Sequence, residues 1–168
     1  NENTLVIACS YSGNTEETLA GLEASISKTS KIIGFSTGGK LIDFINRNNK
    51  DYVLMPKGLQ PRAALGYSFT LMLILLNKIG CINYDIVTEF KSNLDELSKY
   101  NDIFSVQKEN NFSYEIAKKI HHKNPLIYAE DGIFGIIGYR FKCQLVENSK
   151  ILAFNNVIPE MNHNEIEA

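Results

Sequence analysis

The chain alternates short apolar runs, each bounded by turn residues, with longer segments whose apolar positions recur at helical spacing. Thr4 to Ala8 reads as a strand, closed by a Ser/Gly/Asn cluster and followed by helical character from Thr15 to Ile26. Lys31 to Ser36 is a second strand, Leu41 to Asn46 a short helix after Gly38-Gly39, and Tyr52 to Met55 a third strand. Strand and helix in alternation predict a parallel sheet in an open α/β unit. Pro61 then opens a long helix to about Ile79, with proline at the first helical position and Gly80 just past the end. This helix is apolar nearly all round, so it is expected to be covered on most sides, by its own sheet and by a partner subunit.

Ile86 to Tyr100 carries Phe90, Leu94 and Leu97 between charged residues, the pattern of an amphipathic helix able to bridge two domains, and Asn101 to Asn111 reads as a linker. The alternation then restarts with a helix from Tyr114 to His122, a strand from Leu126 to Ala129, a turn at Glu130-Asp-Gly132, a helix to about Asn148 and a strand from Ile151 to Phe154. The predicted fold is α/β: two tandem units with parallel sheets flanked by helices. The first is expected over 1–82, a connecting helix and linker over 83–111, and the second over 112–168.

Composition narrows the functional classes. The 168 residues are 44% hydrophobic and 21% charged, an ordinary globular balance. The formal net charge is −2 with both signs interleaved, which argues against nucleic acid or an anionic membrane surface as a partner, so an anionic ligand must be met locally. The apolar run Leu71 to Leu76 within Ala63 to Leu76 falls short of the roughly 20 residues a membrane span needs. Cys9, Cys81 and Cys143 are odd in number and far apart, with no Cys-x-x-Cys and no histidine at metal-ligand spacing, which suits a reducing cytoplasm; no metal and no cofactor are expected. The chain opens at Asn1 almost directly into a strand and reaches Ala168 within helical pattern, so an internal fragment is expected.

The chemistry concentrates in Ser10-Tyr-Ser-Gly-Asn-Thr15, placed where a strand ends and a helix begins. Open α/β sheets put ligands at that edge, and the free N–H groups and dipole of the helix start attract anions. Ser10, Ser12 and Thr15 offer hydroxyl donors, while Gly13 allows the backbone to turn closely. Neither Gly-x-Gly-x-x-Gly nor Gly-Lys-Ser/Thr is present, which favours a terminal phosphate monoester over a nucleotide. The competing structural reading has Asn14 capping the helix and Glu17 completing a capping box. Glu16 and Glu17 also count slightly against a dianion.

Ser10-Tyr-Ser-Gly-Asn-Thr-Glu-Glu-Thr18 resembles the phosphate loop of the sugar isomerase (SIS) domain. Pro61-Arg-Ala-Ala-Leu-Gly66, Tyr139-Arg-Phe-Lys-Cys-Gln144 with Glu147-Asn148, and Pro159-Glu-Met-Asn-His-Asn-Glu-Ile166 resemble one branch of it, the bifunctional phosphoglucose/phosphomannose isomerases. The resemblance spans most of the chain. It implies two SIS domains per subunit, a homodimer with shared active sites, and metal-independent interconversion of glucose 6-phosphate or mannose 6-phosphate with fructose 6-phosphate. The family's initial glycine-serine turn and its later histidine and lysine match no stretch here. Both units are therefore expected to be incomplete, and the 168 residues alone inactive.

Aldose–ketose isomerisation through an enediol needs a base, an electropositive group for the enediolate, and help in opening the ring. Arg62, whose guanidinium stays charged, follows the third strand to the sheet edge that holds the phosphate loop. Glu160 and Glu165, five apart, would not share one helical face. The resemblance favours Glu165 as the base, because the Glu of Asn162-His-Asn-Glu165 matches the position where SIS isomerases carry theirs, and partial burial beside Ile166 would strengthen it. His163 is a candidate for ring opening or positioning, and His121-His122 more simply complement a helix end. Glu130-Asp-Gly132 has two acids and no hydroxyl, so a single phosphate site is expected, in the first unit; Gly132, Gly135 and Gly138 point instead to close helix packing. Two other readings remain: a non-catalytic phosphosugar-binding SIS module, and the isomerase half of a glucosamine 6-phosphate synthase.

Overall fold

Three short parallel strands, β1 (Val6–Cys9), β2 (Ile32–Ser36) and β3 (Asp51–Leu54), form a sheet in chain order, with Val6 beside Ile32 and Ile33 beside Asp51. The computed structural model describes residues 3–105 and 111–166, and these fall into two compact units divided between Glu89 and Phe90. Parallel neighbours need a crossover, and α1 (Glu16–Ser25) and α2 (Gly39–Arg47) supply it. Leu41, Ile42 and Ile45 form the inner stripe of α2, while Lys40, Asp43 and Arg47 face water. With Ala8, Leu22 and Ile32 they make the core of the first unit, flanked by Val6, Leu19, Ile26 and Phe44. Gly34 lets α2 settle on β2, since a Cβ there would stand 2.8 Å from Leu41.

The long helix predicted from Pro61 is broken in two. Pro61–Ala63 is a single 3-10 turn, and α3 (Leu65–Lys78) starts only after Ala64, whose φ/ψ of −93°/9° is not helical. No residue of α3 is buried, and Leu65 and Phe69 are 50% and 56% exposed, so the expected cover is not found among the described residues. The helix α4 (Ile86–Phe104) runs past its expected end at Tyr100 into the predicted linker, of which 106–110 lie outside the described residues.

In the second unit, α5 (Phe112–Ile120) is capped by Asn111, whose side chain accepts the N–H of Tyr114 at 2.8 Å. The strands β4 (Leu126–Glu130) and β5 (Phe154–Ile158) pair in parallel, joined by α6 (Ile133–Gln144) and a π-turn at Leu145–Ser149. The final strand thus begins where the predicted one ended, because Asn155 and Asn156 interrupt the apolar pattern while belonging to the ladder. Gly135 and Gly138 are buried where α6 packs on the strands: added Cβ atoms would stand 2.9 Å from Val157 and 3.1 Å from Asn155. Gly132 has open space instead and serves the turn through its φ of +96°. A short α7 (Met161–Asn164) follows β5. Among the described residues no helix is long and apolar enough to cross a membrane.

Candidate functional site: a hydroxyl loop and a clamped carboxylate

Parallel strands send the segments that follow them to one edge of the sheet, so the loops after β1, β2 and β3 gather there. Ser10 is buried at the end of β1, and its hydroxyl shares a 2.8 Å hydrogen bond with that of Thr15 while accepting the N–H of Gly13 at 3.1 Å. Ser12 and Thr15 are exposed, and Ser12 Oγ accepts the N–H of Asn14 at 3.2 Å. Asn14 does not cap α1. Its side chain accepts the N–H of Lys40 and donates to the carbonyl of Ser12, both at 3.2 Å, so it ties the loop to the start of α2. Thr15 holds the N-cap position without a side-chain cap, which leaves the helix start without an internal acceptor from that side chain.

The Gly38-Gly39 turn after β2 supports this loop. Gly13 has φ of +72°, and a Cβ on it would stand 1.8 Å from the carbonyl oxygen of Gly38; one on Gly39, at φ +73°, would stand 2.7 Å from that of Ser12. Ser36, fully buried, donates to the Gly38 carbonyl at 2.8 Å, and Thr37 donates to that of Tyr11 at 2.9 Å. The Tyr11 hydroxyl donates to Pro56 O at 2.8 Å and accepts Leu59 N–H at 3.1 Å, joining the third loop. Ser36, Thr37 and Tyr11 were not singled out from the sequence; the signal for them was the repetition of strand, polar turn and helix at one sheet edge. A cation is also close, since a Cβ on Gly38 would stand 3.8 Å from Lys57 Nζ.

A recess of about 240 Å³ opens beside the loop, lined by the hydroxyl residues Ser10, Thr15, Thr18 and Ser68, with Met55 and Pro61. Arg62 is half-buried in the 3-10 turn, between Pro61 and Ala64 in the chain, two residues that line the recess. A larger hollow of about 540 Å³, lined by Leu54, Leu59, Tyr67 and Leu71 among others, is apolar and unsuited to an anion.

In the second unit Glu165 ends α7 as its C-cap. Tyr128 donates its hydroxyl to Glu165 Oε2 at 2.8 Å, and Asn156 donates its amide to Oε1 at 2.6 Å. The hydrogen bond to Glu165 pushes the Tyr128 phenol above its ordinary range, with desolvation and the charge of Glu165 adding to it. Glu165 is exposed and Ile166 is 65% exposed, so the expected burial beside Ile166 is absent; the short α7 gives no apolar wall there. Glu160 instead accepts the Asn164 amide at 3.3 Å. His163 is exposed on α7, two residues before Glu165. Among the described residues no group of three or more His, Cys, Asp or Glu could hold a metal.

Residues 109–168 match the family described as the bacterial phospho-glucose isomerase C-terminal SIS domain. A bifunctional phosphoglucose/phosphomannose isomerase of Caldicellulosiruptor bescii is 44% identical over 165 residues, 97% of this chain and 48% of that protein. Through residues 109–168 this chain is similar to the SIS domain of bacterial phospho-glucose isomerases. The bifunctional phosphoglucose/phosphomannose isomerase of Thermoplasma acidophilum is 36% identical over 97% of the chain and 48% of its own length. A D-glucosamine-6-phosphate 4-epimerase of Sulfolobus acidocaldarius is 38% identical over 98% of the chain and 50% of its own length. A solved structure from Clostridium difficile 630, assigned provisionally as a phosphosugar isomerase, shares the fold with a TM-score of 0.70 at 24% identity, covering 100% of this chain and 49% of that one. The chain spans about half the length of the curated relatives it matches.

Proposed function

We propose that the protein isomerises glucose 6-phosphate and mannose 6-phosphate to fructose 6-phosphate through an enediol. The observation that carries the proposal is the hydroxyl loop: Ser10, Ser12 and Thr15 gathered at an uncapped helix start on the carboxyl edge of a parallel sheet. A phosphate monoester suits that arrangement, because its oxygens can accept hydroxyl and N–H donors together and the helix dipole favours its charge. The names of the relatives supply the sugar.

In this reading Glu165 takes the proton from C2 of the open-chain aldose. The C–H electron pair forms the enediolate double bond as the carbonyl electrons move to O1; a proton passes from O2 to O1, and the proton held by Glu165 then returns to C1 as the C2 carbonyl forms. Arg62 stabilises the enediolate charge, and His163 assists ring opening. The reading includes a homodimer, supported by the exposed apolar residues Leu65, Tyr67 and Phe69 on α3, and a cytoplasmic location, in keeping with the free cysteines Cys9, Cys81 and Cys143.

The 4-epimerase relative favours a second reading, inversion at C4 of an amino sugar phosphate. Product analysis separates the two. The full-length protein incubated with glucose 6-phosphate, mannose 6-phosphate or glucosamine 6-phosphate is expected to yield fructose 6-phosphate from the first two; a C4-epimer as the sole product would overturn the isomerase reading. Light scattering at the mass of a monomer would remove the dimer.

A further inference from the structure

We propose that Tyr128 and Asn156 are positioning residues that clamp the Glu165 carboxylate and fix the direction from which it takes and returns the substrate proton. This rests on the reading of Glu165 as the base. Tyr128 and Asn156 are register partners on the parallel strands β4 and β5, so their side chains leave the same face of the sheet side by side. Each takes a different oxygen of one carboxylate, at 2.8 and 2.6 Å. Two donors on two oxygens fix both the position of the group and its rotation about the final side-chain bond, which one donor would leave free.

The fixation is needed because Glu165 lacks the other means of holding a side chain still. It is exposed at the end of a four-residue helix. A carboxylate has about four lone-pair sites, and the clamp occupies only two, so each oxygen keeps one for the migrating proton. Asn156 is in turn fixed by its own backbone neighbour, since its side-chain oxygen accepts the N–H of Val157 at 2.8 Å; this settles which end of the amide faces Glu165. Both strands are held from behind by α6 through the close approach of Gly135 and Gly138. The clamp therefore stands on the paired strands of the second unit while the base stands on its short terminal helix.

The test uses the full-length protein and follows exchange of the substrate C2 proton with solvent deuterium together with steady-state kinetics. Tyr128→Phe is expected to lower kcat and exchange on the order of tenfold, the loss of one hydrogen bond to a charged group, with KM and binding of a phosphorylated open-chain inhibitor unchanged. In a Glu165→Gln background, Tyr128→Phe is expected to have no further effect on exchange, because there is no carboxylate left to orient. Asn156→Asp keeps the acceptor for Val157 but faces Glu165 with a second anion, and is expected to lose more than Tyr128→Phe. Native exchange in Tyr128→Phe, or an equal loss with and without Glu165, overturns the clamp. If Glu165→Gln itself exchanges at the native rate, the assignment of the base falls instead. Inhibitor binding at native affinity in each variant shows that the fold has survived.

Discussion

Ser10 and Thr15 share a hydrogen bond of 2.8 Å across the loop after β1, yet Ser10 is a buried residue and Thr15 an exposed one. The pair therefore separates the loop's shape from its display. Thr15→Ala and Ser12→Ala should weaken phosphosugar binding about tenfold each, the scale of one hydrogen bond to a charged group, with little change in melting temperature. Ser10→Ala should also destabilise the fold, by about 1–2 kcal/mol, because Ser10 Oγ accepts the N–H of Gly13 in a buried setting. Calorimetric titration with a phosphorylated open-chain inhibitor, beside thermal unfolding, measures both. Unchanged affinity in the Ser12 and Thr15 variants would sink the anion site.

The contact between Gly13 and Gly38 gives a sharper expectation. At Gly13 a methyl group would stand 1.8 Å from a backbone oxygen with φ at +72°, and neither can move away cheaply. Gly13→Ala should destabilise the first unit by more than about 3 kcal/mol. Gly21→Ala is the control: it lies inside α1 with nothing within 4 Å, and should stabilise by about 0.5–1 kcal/mol. Equal melting temperatures for the two variants would contradict the packing of the loops.

How much of this could be read from the sequence depended on range. The Ser10 to Thr15 loop was legible because its parts are adjacent: an apolar run, a glycine at the turn and a helical period after it. Its support was not, since Ser36 looks like an ordinary strand end until parallel pairing brings it under the loop. The clamp on Glu165 was further out of reach. Tyr128 is 37 residues away, and Asn156 was placed beyond a strand that ends at Phe154, because two asparagines in succession do not read as β-ladder. The break of the long helix at Ala64 left no local mark either, as Pro61 opens a 3-10 turn as readily as an α-helix.

Tyr128 offers a check that needs no substrate. Its phenol is held above the ordinary value of about 10, chiefly by the hydrogen bond to Glu165. A group whose folded value is raised contributes stability below its unfolded value and loses it as pH climbs through the folded one. The Tyr128–Glu165 bond should therefore persist through neutral pH and fail only in the alkaline range above about 10. The tyrosinate absorbance of the wild type minus that of Tyr128→Phe should show a late-ionising phenol, and Glu165→Gln should bring it down. A phenol that ionises at the ordinary value would mean that the bond is not formed in solution.

Glu165 and Glu160 lie five residues apart, and the structure gives them different surroundings from which their roles can be separated. Glu160 stands at the start of α7 beside a single, longer contact to Asn164 at 3.3 Å, a position that the helix dipole alone explains. Glu165 has both oxygens held from the sheet. A base must be aimed as well as charged, and of the two only Glu165 is aimed by groups outside its own helix. In the full-length protein Glu165→Gln should keep phosphosugar binding and lose on the order of 10²–10⁴ in turnover, the usual contribution of a positioned acid-base group. Glu160→Gln should lose much less. Exchange of the C2 proton with solvent deuterium decides between them, since it reports the transfer itself and not ring opening or product release. Native exchange in Glu165→Gln together with its loss in Glu160→Gln would mean that the base is Glu160, and that the clamped carboxylate serves the fold.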